Sequence, residues 1–181
     1  MNLPFYTVGH STKTIDDFAA LLKAGAVEVV VDIRTIPRSR TNPQFNEDGL
    51  PASLEPHGLA YRRIAALGGL RGKAHDVPAE VNGFWENASF HNYADYALSP
   101  AFRSGLQTLV ELGREKRCAV MCSEAVWWRC HRRIVADYLL ARGETVFHLM
   151  AGERVDEARL TPGASVGAPD IVRYPARPAQ A

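Results

Sequence analysis

Cys122-Ser123-Glu124 and Cys130-His131-Arg132 place two thiols, a carboxylate, an imidazole and a guanidinium within one short stretch. A thiol acts as a nucleophile in its thiolate form, and nearby cations and helix N-termini are what lower its pKa. With Arg129, His131 and Arg132 close in sequence, Cys122 is the candidate nucleophile; the alternative is a small apolar residue closing a buried strand. Glu124 is spaced to act as general acid or base, or else as counter-ion to Arg129 or Arg132. Cys130 and Cys118 also suit plain packing.

The same thiols with Glu124 and His131 are chemically suited to zinc or iron, but they lack the close Cys-x2-Cys pairs of structural sites. No metal and no cofactor are therefore expected. A second basic group lies upstream. Arg34, Arg38 and Arg40, with hydroxyls at Thr35, Ser39 and Thr41, form a segment suited to a phosphate or carboxylate, or simply a solvated basic loop. Asp32 is placed to hold Arg34 or Arg38. His10 is a candidate general base and Ser11 a candidate substrate contact, since both follow a short apolar run. Trp127 and Trp128 read either as a stacking surface or as core.

Strands and helices must bring these residues together. Phe5 to Val8 reads as a strand, and Ile15, Phe18, Ala19 and Leu22 repeat with helical spacing after the capping signal Thr14 with Asp17. Gly25 is expected to stop that helix. Val27 to Ile33 is a β-branched run of the kind covered on both faces. Arg34 to about Leu59 shows no period, Leu59 to Ile64 reads as a strand, and Arg71 to Asn92 reads as irregular. Ser99-Pro100 opens a helix expected to end at Gly113, and Cys118 to Cys122 is a buried strand. A helix is expected from about Val126 to Arg142, then a last strand from Thr145 to Met150.

Alternating strands and helices predict a three-layer, Rossmann-like α/β fold with a mostly parallel sheet, whose ligands bind beyond the carboxyl ends of the strands. That rule selects His10-Ser11, Asp32-Ile33-Arg34 and Cys122-Ser123-Glu124. The 181 residues suit a single domain over residues 1–162, with Gly163 to Ala181, rich in Pro, Ala and Gly, as a lightly attached tail.

A net charge of +1, from 21 basic and 20 acidic residues, gives no global attraction to nucleic acid or to an anionic membrane. The expected partner is a small anionic ligand, with nucleic acid not favoured and no membrane span. Three cysteines and the absence of an apolar leader point to a reducing, cytoplasmic setting.

Thr7-Val8-Gly9-His10-Ser11, Val31-Asp32-Ile33-Arg34, Pro37-Arg38-Ser39-Arg40, Tyr61, Leu67-Gly68-Gly69, Cys122-Ser123-Glu124 and Cys130-His131-Arg132 together resemble the prokaryotic family catalogued as domain of unknown function 488, over about residues 5 to 150. The resemblance implies an α/β fold and brings no established reaction. A weaker similarity is to rhodanese and cysteine phosphatase domains, which follow an early Asp-x-Arg with a cysteine-led anion loop. Here six residues separate Cys122 from Arg129, and Trp127-Trp128 stand where such a loop has glycines. The leading expectation is a hydrolase or transferase using Cys122, Glu124 and His10, with Ser11, Asp32, Arg34, Arg38, Arg40, Cys130, His131 and Arg132 around its substrate. The alternatives are a nucleotide or nucleic-acid binding module stacking its ligand on Trp127, Trp128 or Tyr61, and a metal or redox sensor using Cys122, Cys130 and His131.

Overall fold

Val29, Val30 and Val31 are all buried, and they alternate between two separate cores. A strand covered on both faces needs apolar residues at every position, which explains the unbroken β-branched run. The computed structural model, which describes residues 1–178, contains a six-stranded sheet built from β1 (Phe5–Gly9), β2 (Val29–Asp32), β3 (Ala60–Arg63), β4 (Cys118–Cys122), β5 (Val146–Met150) and β6 (Arg154–Glu157). The order across the sheet is β3-β2-β4-β1-β5-β6. Neighbouring strands are parallel except at the β5–β6 edge.

One face packs against α1 (Ile15–Lys23) and α2 (Leu50–Leu54), through Phe18, Leu22, Leu50 and Leu54. The other packs against α3 (Ala88–Tyr96), α4 (Pro100–Glu115) and α5 (Arg132–Ala141), through Tyr93, Phe102, Leu106, Leu109, Ile134 and Tyr138. This is the three-layer α/β fold expected from the sequence. Among the described residues no helix is long and apolar enough to cross a membrane.

Local signals act as expected at two helix starts. Thr14 Oγ1 accepts the Asp17 N–H at 3.1 Å, and Ser99 Oγ accepts the Phe102 N–H at 3.3 Å. Helix α1 ends at Lys23, just before Gly25, as expected, whereas Gly113 does not stop its helix. Gly113 lies inside α4, where the Phe5 ring occupies the space a Cβ would need. Gly25 is similarly required by the Tyr6 ring, whose Cε1 would lie 2.7 Å from a Cβ, while the left-handed residue at that turn is Ala26, with φ 48°.

Five further expectations are corrected. The segment expected to open a helix at Val126 instead forms a single 3-10 turn, Trp127–Arg129; the chain is extended at Cys130, with φ −125°, and α5 begins at Arg132. The loop after Arg34 contains α2, and the stretch read as irregular runs into α3 at its end. Strand β5 is followed by β6, which pairs with it antiparallel. The C-terminal segment is no loose tail over its described part. There β7 (Ser165–Gly167) and β8 (Ile171–Arg173) form a hairpin, and Val172 and Tyr174 are fully buried. Residues 179–181 of the expected tail lie outside the described residues.

Candidate active site

The ends of β1, β2 and β4 lie side by side because β4 runs between the other two. His10 N–H donates to the Cys122 carbonyl at 2.9 Å and Ser11 N–H to the Ser123 carbonyl at 3.0 Å, so the β1 and β4 loops leave the sheet together. Ser11 holds a left-handed backbone, φ 48°, a conformation uncommon for a residue with a side chain. At Gly9 a Cβ would collide with the Glu124 carbonyl, so only glycine allows this approach. A cavity of about 630 Å³ opens here, lined by His10, Ser11, Arg34, Arg38, Cys122, Glu124, Cys130 and His131 among others.

Arg34 lines the buried side of the cavity, with Asp32 behind it. The Asp32 carboxylate accepts from Arg34 Nε at 2.9 Å and Nη2 at 2.7 Å, and its Oδ2 also accepts the Tyr61 hydroxyl at 2.7 Å. Arg34 Nη2 further donates to the Phe45 carbonyl at 2.8 Å. His10 completes this group. Its Nδ1–H donates to the Ser11 carbonyl at 2.8 Å, which leaves Nε2 to accept from Arg34 Nη1 at 3.3 Å. Burial, with the neighbouring Arg34 cation assisting against the Ser11 bond, holds the His10 pKa down at about 4. His10 is therefore neutral, its lone pair is engaged, and the contact it makes is one that positions Arg34.

The thiols meet at the opposite wall. Cys122 ends β4 and Cys130 stands just before α5, yet their sulfurs are 2.6 Å apart, because the intervening loop folds back on itself. Both are free and buried. Arg132 fixes that loop from behind. Its Nη1 donates to Cys122 Sγ at 2.7 Å and to the Glu124 carbonyl at 2.6 Å, and its Nη2 to the Ala125 carbonyl at 3.2 Å. The Arg132 backbone N–H reaches Cys130 Sγ at 3.4 Å, at the start of α5. Arg132 is fully buried, and among the described residues no carboxylate lies within ion-pair distance of it.

These contacts act differently on the two sulfurs. Burial pushes the Cys122 thiol well up, and its hydrogen bond with Cys130 adds to that. For Cys130 burial acts in the same direction, but it is outweighed by the bond from Cys122 and by the charge and N–H groups of Arg132, so that its pKa falls to about 7. These opposite shifts favour ionisation at Cys130 over Cys122.

His131 lies beside Cys130. Its Nε2–H donates to the Ile33 carbonyl at 3.0 Å, and Nδ1 lies 3.5 Å from Cys130 Sγ. Burial lowers its pKa, so the ring is neutral. The Leu67-Gly68-Gly69 turn packs on this imidazole, and a Cβ at Gly69 would collide with the ring. Helix α3 holds the turn in place: Tyr93 Oη donates to the Leu67 carbonyl at 2.8 Å and Tyr96 Oη to the Ala66 carbonyl at 2.6 Å. Gly69→Ala is accordingly expected to cost about 1–3 kcal/mol and to disturb Cys130. Urea unfolding and the alkylation rate of Cys130 check both effects, and an unchanged rate would show that the ring does not govern the thiol.

Of the residues singled out in the sequence, Asp32 lies behind Arg34, Arg132 lies behind the thiols, and Arg40 is exposed and does not line the cavity. Arg132 therefore positions the sulfurs instead of contacting a ligand. Arg38 is at the rim, paired with Asp48 at 3.0 Å. Glu124 presents an exposed carboxylate; Arg132 takes its backbone carbonyl, not its side chain. Trp127 stacks on His148 with ring centres 4.4 Å apart, and neither tryptophan nor Tyr61 lines the cavity, so the stacking surface of the binding-module alternative is not formed there. Among the described residues no cluster of three metal-ligating side chains is present.

Sequence reasoning missed Leu70 and Phe90 as cavity residues, and Tyr93 and Tyr96 behind them. The only available signal for the tyrosines was the run Ala88 to Tyr96, whose helical period is weak. No curated protein and no solved structure matches the chain at a significant level. The family described as Domain of unknown function DUF488 matches residues 14–139, which include Asp32, Arg34 and the Cys122–Arg132 loop but not His10 and Ser11, and the chain belongs to that family.

Proposed function

We propose that the cavity is the site of a thiol-dependent hydrolase or transferase reaction on a small anionic substrate. The observation that carries this reading is Arg132, a buried guanidinium aimed at a thiol pair with no carboxylate beside it. A buried cation needs an anion, and the sulfurs are the groups placed to supply one. Cys130 is then the attacking sulfur, while Cys122, the residue favoured by sequence, donates its S–H to it. The Cys130 thiolate bonds to the electrophilic atom of the substrate, the bond to the leaving group breaks with its electron pair, and water or an acceptor releases the product.

Three features favour an anionic substrate of phosphorylated or nucleotide-like type. Arg129 and Arg38 stand at the rim, Arg34 keeps one N–H beyond the four contacts already described, and the backbone N–H groups of Ser123, Glu124 and Ala125 have no acceptor among the described residues. Exposed Ile36 and Leu70, together with Phe90, offer apolar surface at the same cavity for the rest of the molecule.

Alkylation with iodoacetamide across pH, read residue by residue by mass spectrometry, tests the reading. Cys130 is expected to reach half its maximal rate near pH 7, whereas Cys118, pushed up to about 12 by burial and then by Glu28, stays unreactive throughout. A Cys130 that reacts only after unfolding would refute the proposal. A screen of phosphorylated compounds, with Cys130→Ser as the control, then seeks the substrate.

A further inference from the structure

We infer that Cys122 and Cys130 are a two-electron redox couple that exchanges with small disulfides entering the cavity. The inference rests on the ionised Cys130 of the proposed function and adds a second activity at the same sulfurs. Several observations carry it together. The two thiols are free, both line the cavity, and their sulfurs lie 2.6 Å apart, so bonding them requires little movement of the chain. Cys118 lies on the same strand, but it is buried in the core and does not line the cavity.

The exchange balances as follows. The Cys130 thiolate attacks one sulfur of a disulfide RSSR, forming a mixed disulfide and expelling RS⁻. That thiolate takes the proton of Cys122, and the resulting Cys122 thiolate attacks Cys130 Sγ, breaking the mixed disulfide and expelling a second RS⁻. One thiol and one thiolate of the protein have become a disulfide, and RSSR has become RSH and RS⁻. The protein loses two electrons and the small disulfide gains them.

Arg132 sets the direction of this couple. In the reduced pair its guanidinium donates to Cys122 Sγ and its backbone N–H to Cys130 Sγ, and oxidation leaves neither sulfur able to ionise beside it. The cation is then left fully buried with no anion, and its Nε already lacks a partner. A couple whose reduced form is stabilised in this way is oxidising, as in other disulfide exchangers with a stabilised thiolate.

The test is equilibration of the full chain with mixtures of reduced and oxidised glutathione, followed by acid quenching, alkylation under denaturing conditions and peptide mapping. The expected result is a linked Cys122–Cys130 peptide that forms in mixtures rich in oxidised glutathione and is lost once reduced glutathione predominates, with Cys118 alkylated in every sample. Cys122→Ser is expected to trap one glutathione on Cys130, and Cys130→Ser at least tenfold less on Cys122. The wild-type measurement does not depend on either variant folding. If Cys130 is alkylated near pH 7 but no linked peptide forms at any ratio, the couple is refuted while the thiolate survives. If Cys130 is inert in both experiments, both readings are refuted. Linkage through Cys118 would also overturn the inference.

Discussion

Arg132→Met is expected to lower the unfolding free energy by about 3–5 kcal/mol and to move Cys130 alkylation out of the neutral range. The guanidinium is fully buried and ties one sulfur and two backbone carbonyls into one loop, contacts a thioether cannot replace. The loss also depends on pH. Cys130 in the folded chain titrates near 7 against an ordinary thiol value of 9.0, so between those values the folded form is ionised and the unfolded form is not. Stability therefore rises from pH 7 to pH 9, by about 2 kcal/mol, and the gain is lost as pH falls through 7. Above 9 the rise reverses, because Cys122 and Cys118 have raised values and favour the unfolded state once free thiols ionise. Urea titrations at pH 6.5, 8 and 9 check this, with Arg132→Met expected to show no rise. A mutant as pH-dependent as the wild type would show that the buried cation does not hold the thiolate.

Tyr174→Ala is expected to cost a further amount of the same order, about 3–5 kcal/mol. The ring is fully buried beside Trp85, 5.2 Å between centres, and its hydroxyl donates to Asp137 Oδ2 at 2.7 Å. Its backbone N–H and carbonyl bind Asn82 and Phe84. The C-terminal segment thereby clamps the middle of α5 and the chain before α3, both of which hold the site. Tyr174→Phe keeps the packing and leaves the Asp137 oxygen without its donor, for about 1–3 kcal/mol. Thermal unfolding of both variants checks the order, Ala well below Phe. Two variants as stable as the wild type would restore the picture of a loose tail.

The parts of this protein that were legible in its sequence are those governed by neighbours in the chain. Thr14 and Ser99 announce their helices, the Val29–Val31 run announces a doubly covered strand, and from these the α/β order and the convergence of His10, Arg34 and Cys122 follow. What depends on distant contacts was not legible. Gly113 looks like a helix stop until the ring of Phe5 is seen against it. Pro, Ala and Gly around Val172 and Tyr174 give the composition of a tail, although these two side chains are core residues. The sequence reads as a helix through Cys130; the extended backbone found there is what lets the sulfurs of Cys122 and Cys130 meet. Arg132 was taken for a ligand contact because nothing local shows that it points inward.

Synthesis proceeds from the N-terminus, and the position of β4 in the sheet gives that direction a consequence. Strands β1, β2 and β3 all leave the ribosome before the strand that must lie between β1 and β2. Until Cys118–Cys122 is made, the inner edges of β1 and β2 are unpaired, and the two halves of the sheet have no common strand. Insertion of β4 joins distant parts of the chain, the kind of pairing that slows folding and leaves strand edges open to wrong partners. The same step carries Cys122 to its place, and α5 with Arg132 follows within a few residues. The step that joins the two halves of the sheet is thus also the one that brings the thiol loop to its place, with β5 and β6 added afterwards at the β1 edge.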